Sequence, residues 1–118
     1  MADTVLVVDD DSNIREVLYN FLTLKGYEIL LATNGEQALE LTKYEMPKAV
    51  LLDVKMPGID GMETCRRMRA DEKTRFIPII MITAYGASKT EANDAGADDI
   101  IHKPFDMPHP GTGFFISR

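Results

Sequence analysis

Three consecutive aspartates, Asp9, Asp10 and Asp11, follow directly on the apolar run Val5 to Val8, and Asp53, Thr83 and Lys103 stand at the ends of later apolar runs. Carboxylates forced together repel one another, and the simplest remedy is a hard divalent cation with oxygen ligands, magnesium by default. With that cation in place, one carboxylate can act as a nucleophile toward phosphorus, while a lysine and a hydroxyl neutralise the transferred phosphoryl oxygens. Aspartate, metal, threonine and lysine together describe phosphoryl transfer onto a carboxylate. Taken singly, each residue has a plainer reading: Asp11 as a helix cap, Thr83 as a buried β-branched filler and Lys103 as a solvated loop charge. The conjunction is what points to chemistry.

These residues need elements to hold them. Short apolar runs rich in β-branched residues alternate with segments of helical periodicity, the pattern of an α/β domain with a parallel sheet. Strands are predicted at Val5 to Val8, Glu28 to Ala32, Ala49 to Leu52, Pro78 to Thr83 and Asp99 to His102. The first and fourth are apolar without alternation, as expected mid-sheet, where helices cover both faces. A first helix follows a Ser12 N-cap candidate, with Ile14, Val17, Leu18, Phe21 and Leu22 at helical spacing and Gly26 placed to stop it. Further helices are predicted at Gly35 to Tyr44, with Ala38, Leu39 and Leu41 inward, at Met62 to Asp71, and more weakly from about Ala87 to Ala95. Cys65 and Met68 read as core. In open parallel sheets functional groups collect beyond the carboxyl ends of the strands, and Asp9 to Asp11, Asp53, Thr83 and Lys103 all fall there.

Composition narrows the classes. With 118 residues, 45% of them hydrophobic and 27% charged, the chain reads as one compact domain that can bury roughly two thirds of its unfolded surface. A lone cysteine excludes an intramolecular disulfide framework and a cysteine zinc cage. The net charge of -6 would repel a phosphate backbone, so no direct nucleic-acid partner is expected. No secretory h-region opens the chain, and no stretch approaches the ~20 apolar residues of a membrane span, so a cytoplasmic location and no membrane partner are expected. His102 and His109 read as solvated or packing histidines, and Gly111-Thr112-Gly113 as a turn signal only.

Val7-Val8-Asp9-Asp10, Leu51-Leu52-Asp53-Val54-Lys55-Met56-Pro57-Gly58, Ile82-Thr83-Ala84 and Lys103-Pro104-Phe105 resemble the four signatures of the response-regulator receiver domain, in family order and spacing across about residues 4 to 106. The likeness is to single-domain receivers of the sporulation phosphorelay or chemotaxis type. It implies a flavodoxin-like, doubly wound five-stranded parallel sheet of order 2-1-3-4-5 in a two-component system. It also implies that Asp53 takes a phosphoryl group from a histidine kinase or phosphotransfer protein. By the same resemblance, Asp10 and Asp53 bind magnesium directly with the Lys55 backbone carbonyl, Asp9 acts mainly through water, Lys103 and Thr83 contact the phosphoryl group, and Pro104 is a cis-proline that aims the lysine. Gly61 and the Met56-Pro57-Gly58 turn shape the loop beside Asp53. The chain is then a phosphoacceptor signalling domain rather than an enzyme, and its output partner is not legible.

The sequence also departs from that family. Ile100 stands where an aromatic switch residue is usual, leaving Tyr85 as the nearest aromatic to Thr83. The resemblance implies that the residues two beyond Asp53 and two beyond Thr83, here Lys55 and Tyr85, border the approach of a hydrolytic water, and their bulk predicts slow loss of the phosphoryl group. After a receiver unit at 1–106, the tail at 107–118 carries two prolines and two glycines within six residues, so the usual fifth helix is expected to be missing. Either the tail folds back, with Phe114, Phe115 and Ile116 plugging part of the gap, or a second copy packs or exchanges its terminal segment there; a homodimer through that region is expected, and the tail reads as a truncated or frame-shifted ending. Two rival classes fit the residues less well. An aspartate-nucleophile phosphatase of haloacid-dehalogenase type lacks its glycine, since Ser12 stands there, and has only Asp106 for its late acidic pair. A flavodoxin-like electron carrier would find its phosphate repelled by three aspartates.

Overall fold

The computed structural model describes residues 3–84 and 88–102. The predictions that fall on Tyr85, Ala87, Lys103, Pro104 and the 107–118 tail therefore lie outside the described residues. In chain order the elements are β1 (Thr4–Val8), α1 (Ser12–Leu24), β2 (Glu28–Ala32), α2 (Gly35–Glu45), β3 (Ala49–Asp53), α3 (Gly61–Ala70), β4 (Ile79–Thr83), α4 (Lys89–Ala95) and β5 (Asp99–His102). All strand pairs are parallel, in the order β2-β1-β3-β4-β5. That is the predicted order, with β1 and β4 interior and β3 buried along its whole length.

Strand side chains alternate between faces, and two cores result. Leu6, Val8, Val50, Leu52 and Met81 pack with Ala38 of α2, Cys65 and Met68 of α3, and Ala92 of α4. Val5, Val7, Leu51 and Ile82 pack on the opposite side with Leu18 and Leu22 of α1. Continuous apolar strands are what a two-sided burial requires.

Three local predictions need correction. The N-cap of α1 is not Ser12, which is the first helical residue, but Asp11, as its plainer reading as a helix cap had it; its carboxylate accepts from the Asn13 N–H at 2.8 Å. Both types cap well, so the choice fell to where the chain turns after β1. Val17 is 41% exposed although its spacing fits the apolar stripe, because the α1 contact to the sheet runs along Leu18 and Leu22. Pro78 precedes β4 rather than opening it; its carbonyl accepts from the Val50 N–H at 2.9 Å. The fourth helix starts after a Ser88–Glu91 capping box and ends at Gly96, whose φ of 104° suits glycine.

Candidate functional site

The register builds the site. Val8 of β1 pairs with Leu52 of β3, so Asp9 and Asp53, one step further along each strand, come level at the carboxyl end of the sheet. Asp53 in turn pairs with Ile82, which puts Thr83 one step beyond it on β4. Asp9, Asp53 and Thr83 are all buried, whereas Asp10 is exposed, so the cluster opens to solvent on the Asp10 side. One carboxylate oxygen from each of Asp9, Asp10 and Asp53 lies within 4.8 Å of the other two.

Each position is fixed by backbone chemistry. The Asp9 N–H donates to the Ala32 carbonyl at 3.1 Å, tying the loop after β1 to β2. The Asp9 carboxylate accepts from the Asp11 N–H at 2.9 Å, and its backbone carbonyl accepts from the Arg15 guanidinium at 2.8 Å. On the Asp53 side, the Val54 N–H donates to the Ile82 carbonyl at 2.9 Å, and the Gly61 N–H to the Val54 carbonyl at 2.8 Å. Gly61 is required there because a Cβ would overlap the Asp53 carbonyl oxygen. Asp60 caps α3 through the Glu63 N–H at 2.8 Å, and the Thr64 hydroxyl donates to the Asp60 carbonyl at 2.7 Å, which anchors the loop under the cluster.

Of the predicted site residues, the fold brings Asp9, Asp10 and Asp53 together and sets Thr83 on the neighbouring strand end. Lys55 is exposed two residues past Asp53. Lys103 lies outside the described residues. Ile100 is half-buried against the core on the α2, α3 and α4 side, and His102 is exposed. The sequence reading missed Arg15, whose signal was a basic residue in the first turn after the aspartates, and the Asp60 cap, whose signal was an acid three residues before Glu63.

The donor set suits a hard cation. Carboxylates this close repel one another, and oxygen-only donors match magnesium or calcium rather than a softer metal.

Comparison with known proteins agrees with this geometry. The family described as "Response regulator receiver domain" matches residues 5–109. The phosphate regulon transcriptional regulatory protein PhoB of Pseudomonas aeruginosa is 45% identical over 107 residues, which are 89% of this chain and 47% of PhoB. A putative response regulator from Chloroflexus aurantiacus superposes with a TM-score of 0.85 at 41% identity, covering 90% of this chain and 88% of that one. The receiver domain of the sensor histidine kinase PA1611 from Pseudomonas aeruginosa, solved with a magnesium ion coordinated in its active-site cleft, gives 0.82 at 31% identity, covering 89% and 88%. The chain spans less than half the length of the curated relatives it matches.

Proposed function

This chain belongs to the response regulator receiver family of two-component signalling, and on that premise we propose that Asp53 is its phosphoacceptor. An Asp53 carboxylate oxygen attacks the phosphorus of a phosphohistidine on a histidine kinase or phosphotransfer protein. The P–N bond breaks, its electron pair returns to the imidazole, and an acyl phosphate forms. The observation that carries this reading is the convergence of Asp9, Asp10 and Asp53 at the carboxyl end of β1 and β3.

Asp10 and Asp53, with the backbone carbonyl of Lys55, would hold magnesium, and Asp9 would act through water. The ion, when bound, supplies charge neutralisation on the phosphoryl oxygens. Asp9 holds the loop after β1 through its own hydrogen bonds. Thr83 donates its hydroxyl to the transferred group, Lys103 pairs with it electrostatically, and the Thr83 hydroxyl shifts as the group arrives while Ile100 stays put. Lys55 flanks the approach to Asp53, and slow loss of the phosphoryl group suits a relay intermediate. The haloacid-dehalogenase reading is not favoured beside the family match.

The chain works without direct contact to nucleic acid or membrane, in the cytoplasm. Among the described residues no helix is long and apolar enough to cross a membrane. We extend the proposal to a homodimer through the region after Phe105, where the sequence carries two prolines and two glycines in place of the family's usual last helix. A sedimentation profile of a monomer at micromolar concentration removes that extension.

The central assignment is tested with a small acyl phosphate donor in magnesium, followed by intact-mass measurement. Wild type should take up one phosphoryl group and Asp53→Asn none; equal uptake by the variant overturns the assignment.

A further inference from the structure

The outer edge of β2 carries a set of backbone hydrogen-bonding groups that no strand among the described residues uses. The Glu28 N–H donates to the Asp3 carbonyl at 2.9 Å and the Asp9 N–H to the Ala32 carbonyl at 3.1 Å. These two bonds fix the phase of the ladder: residues 28, 30 and 32 bond to β1, so the N–H and C=O of Ile29 and Leu31 point away from the sheet. Because β2 is the end strand, no strand among the described residues meets them. Natural edges are blunted by lysine, proline, a bulge or a covering element. The segment Glu28-Ile29-Leu30-Leu31-Ala32 has no lysine and no proline, and its register with β1 runs without a bulge.

Both layers beside this edge are shaped and charged. Across the amino end of this edge, a groove of about 470 Å³ is lined by Tyr19, Thr23 and Tyr27 on the α1 side and by Glu28, Leu30 and Glu45 on the α2 side. A second cleft of about 390 Å³ on α2 shares Glu45 and adds Glu40, Leu41 and Tyr44. Tyr19 is 43% exposed, Leu31 40% and Tyr44 78%. Neither cleft is lined by a lysine or arginine, and Glu28, Glu40 and Glu45 form no ion pair among the described residues.

We propose that β2 is a docking edge for an extended segment of another protein that alternates apolar residues with lysine or arginine and adds as a sixth strand. Main-chain bonds to Ile29 and Leu31 would supply affinity, and the flanking carboxylates would select a cationic partner. Charge chooses this occupant over a second copy. A second copy would present the same Glu28, Glu40 and Glu45 beside its own β2, with no lysine or arginine lining either cleft, so it would offer this edge no opposite charge. The proposal uses none of the acidic-site residues and stands independently of the phosphoacceptor assignment.

The test uses the full chain, isotopically labelled, titrated with a capped peptide of alternating lysine and valine and with its glutamate–valine counterpart. The lysine peptide should shift the Ile29 and Leu31 amide resonances and slow their hydrogen exchange, and should bind more weakly as salt rises from about 50 to about 500 mM. Glu28→Gln with Glu45→Gln should weaken that binding roughly three- to tenfold. Leu31→Pro removes an outward N–H without touching the β1 ladder and should abolish binding. Its thermal melt checks that it folds, and the glutamine variant decides the matter if it does not. Unchanged Ile29 and Leu31 amides, equal binding of the glutamate peptide, or concentration-dependent protection of these amides without peptide would each overturn the proposal, the last by assigning the edge to a second copy.

Discussion

The two ends of this sheet treat charge in opposite ways. At the carboxyl end, Asp9, Asp10 and Asp53 bring like charges within 4.8 Å, two of them buried. At the amino end of β4 and β5, charges meet opposites and carbonyls. The Arg69 guanidinium of α3 donates to the carbonyls of Gly96 at 2.7 Å, Ile77 at 2.7 Å and Arg75 at 3.0 Å, and to the Asp98 carboxylate at 3.0 Å. Asp98 in turn accepts from the Ile79 N–H at 2.8 Å, tying that cluster to the start of β4. Nearby, Lys43 of α2 reaches Asp71 at the end of α3 at 3.3 Å, and the Lys73 backbone N–H together with the Lys43 ammonium holds the Asp71 carboxyl below its usual range. One end gathers like charges in a cluster; the other spends its charges on holding loops in place.

The strongest way to break the contrast is to disturb the acidic end through backbone rather than charge. In Gly61→Ala the new Cβ would overlap the Asp53 carbonyl oxygen and sit 2.8 Å from the Val54 Cα. Neither atom can yield without moving the end of β3. The expected loss is about 2–4 kcal/mol of stability, with weakened magnesium binding. Urea midpoints and a magnesium titration check it, and a wild-type midpoint would show that this end is compliant.

At the amino end the corresponding change is Arg69→Ala. The ion pair with Asp98 contributes little by itself, since Asp98 is largely exposed. The larger effect is the loss of a charged donor from three carbonyls, two of those bonds partly buried, with an expected cost of about 2–3 kcal/mol. Magnesium affinity should stay within about twofold of wild type, because the two ends share no side chain. A variant that loses metal binding without losing stability contradicts the division of labour.

How much of this division could be read from sequence follows from what each end is made of. The acidic end was legible because its residues sit at strand ends: an unbroken apolar run followed by aspartate fixes both the strand and the place where the chain leaves it. The Arg69 cluster was not, because its acceptors are backbone carbonyls 6, 8 and 27 residues away, and a carbonyl has no sequence signature. Val17 misled for a related reason. Periodicity says that a helix has an apolar stripe but not how wide a strip of it the sheet covers, and here Leu18 and Leu22 take the buried line. The exchange of Ser12 for Asp11 at the cap shows two residues of equal capping ability, separated only by the turn geometry after β1.

Cys65 sharpens the contrast from inside the core. It lies on α3 one turn before Arg69, and burial pushes its thiol up to about 11, with Arg69 working against the rise and Asp98 for it. The folded value is above the ordinary 9.0. The stability tied to the neutral thiol is therefore complete below about pH 9 and is lost as the pH climbs through about 11. The shift corresponds to a loss on the order of 2 kcal/mol across that window. Cys65→Ala should flatten this part of the profile relative to wild type, the comparison removing the shared titration of lysines and tyrosines. Parallel profiles between pH 8 and 11 would mean that the thiol ionises as readily folded as unfolded.

The smallest expected effect bears most directly on the acidic end. Asp10 is the exposed member of the cluster, so neutralising it removes repulsion on Asp9 and Asp53 without leaving a buried group unpartnered. Asp10→Asn should therefore be more stable than wild type in metal-free buffer, by about 0.5–1.5 kcal/mol. Added magnesium should reverse the order, since binding stabilises the folded state by the logarithm of one plus ligand over dissociation constant and the variant would lack one of the proposed ligands. The same substitution thus raises the melting temperature with a chelator present and lowers it relative to wild type in millimolar magnesium. The crossing is the signature, because a mutation that merely improved the loop after β1 would stabilise under both conditions. If the two melting curves keep the same order with and without the metal, the carboxylates at this end are not the magnesium site, and their proximity reflects the turn after β1 rather than a ligand it was built to hold.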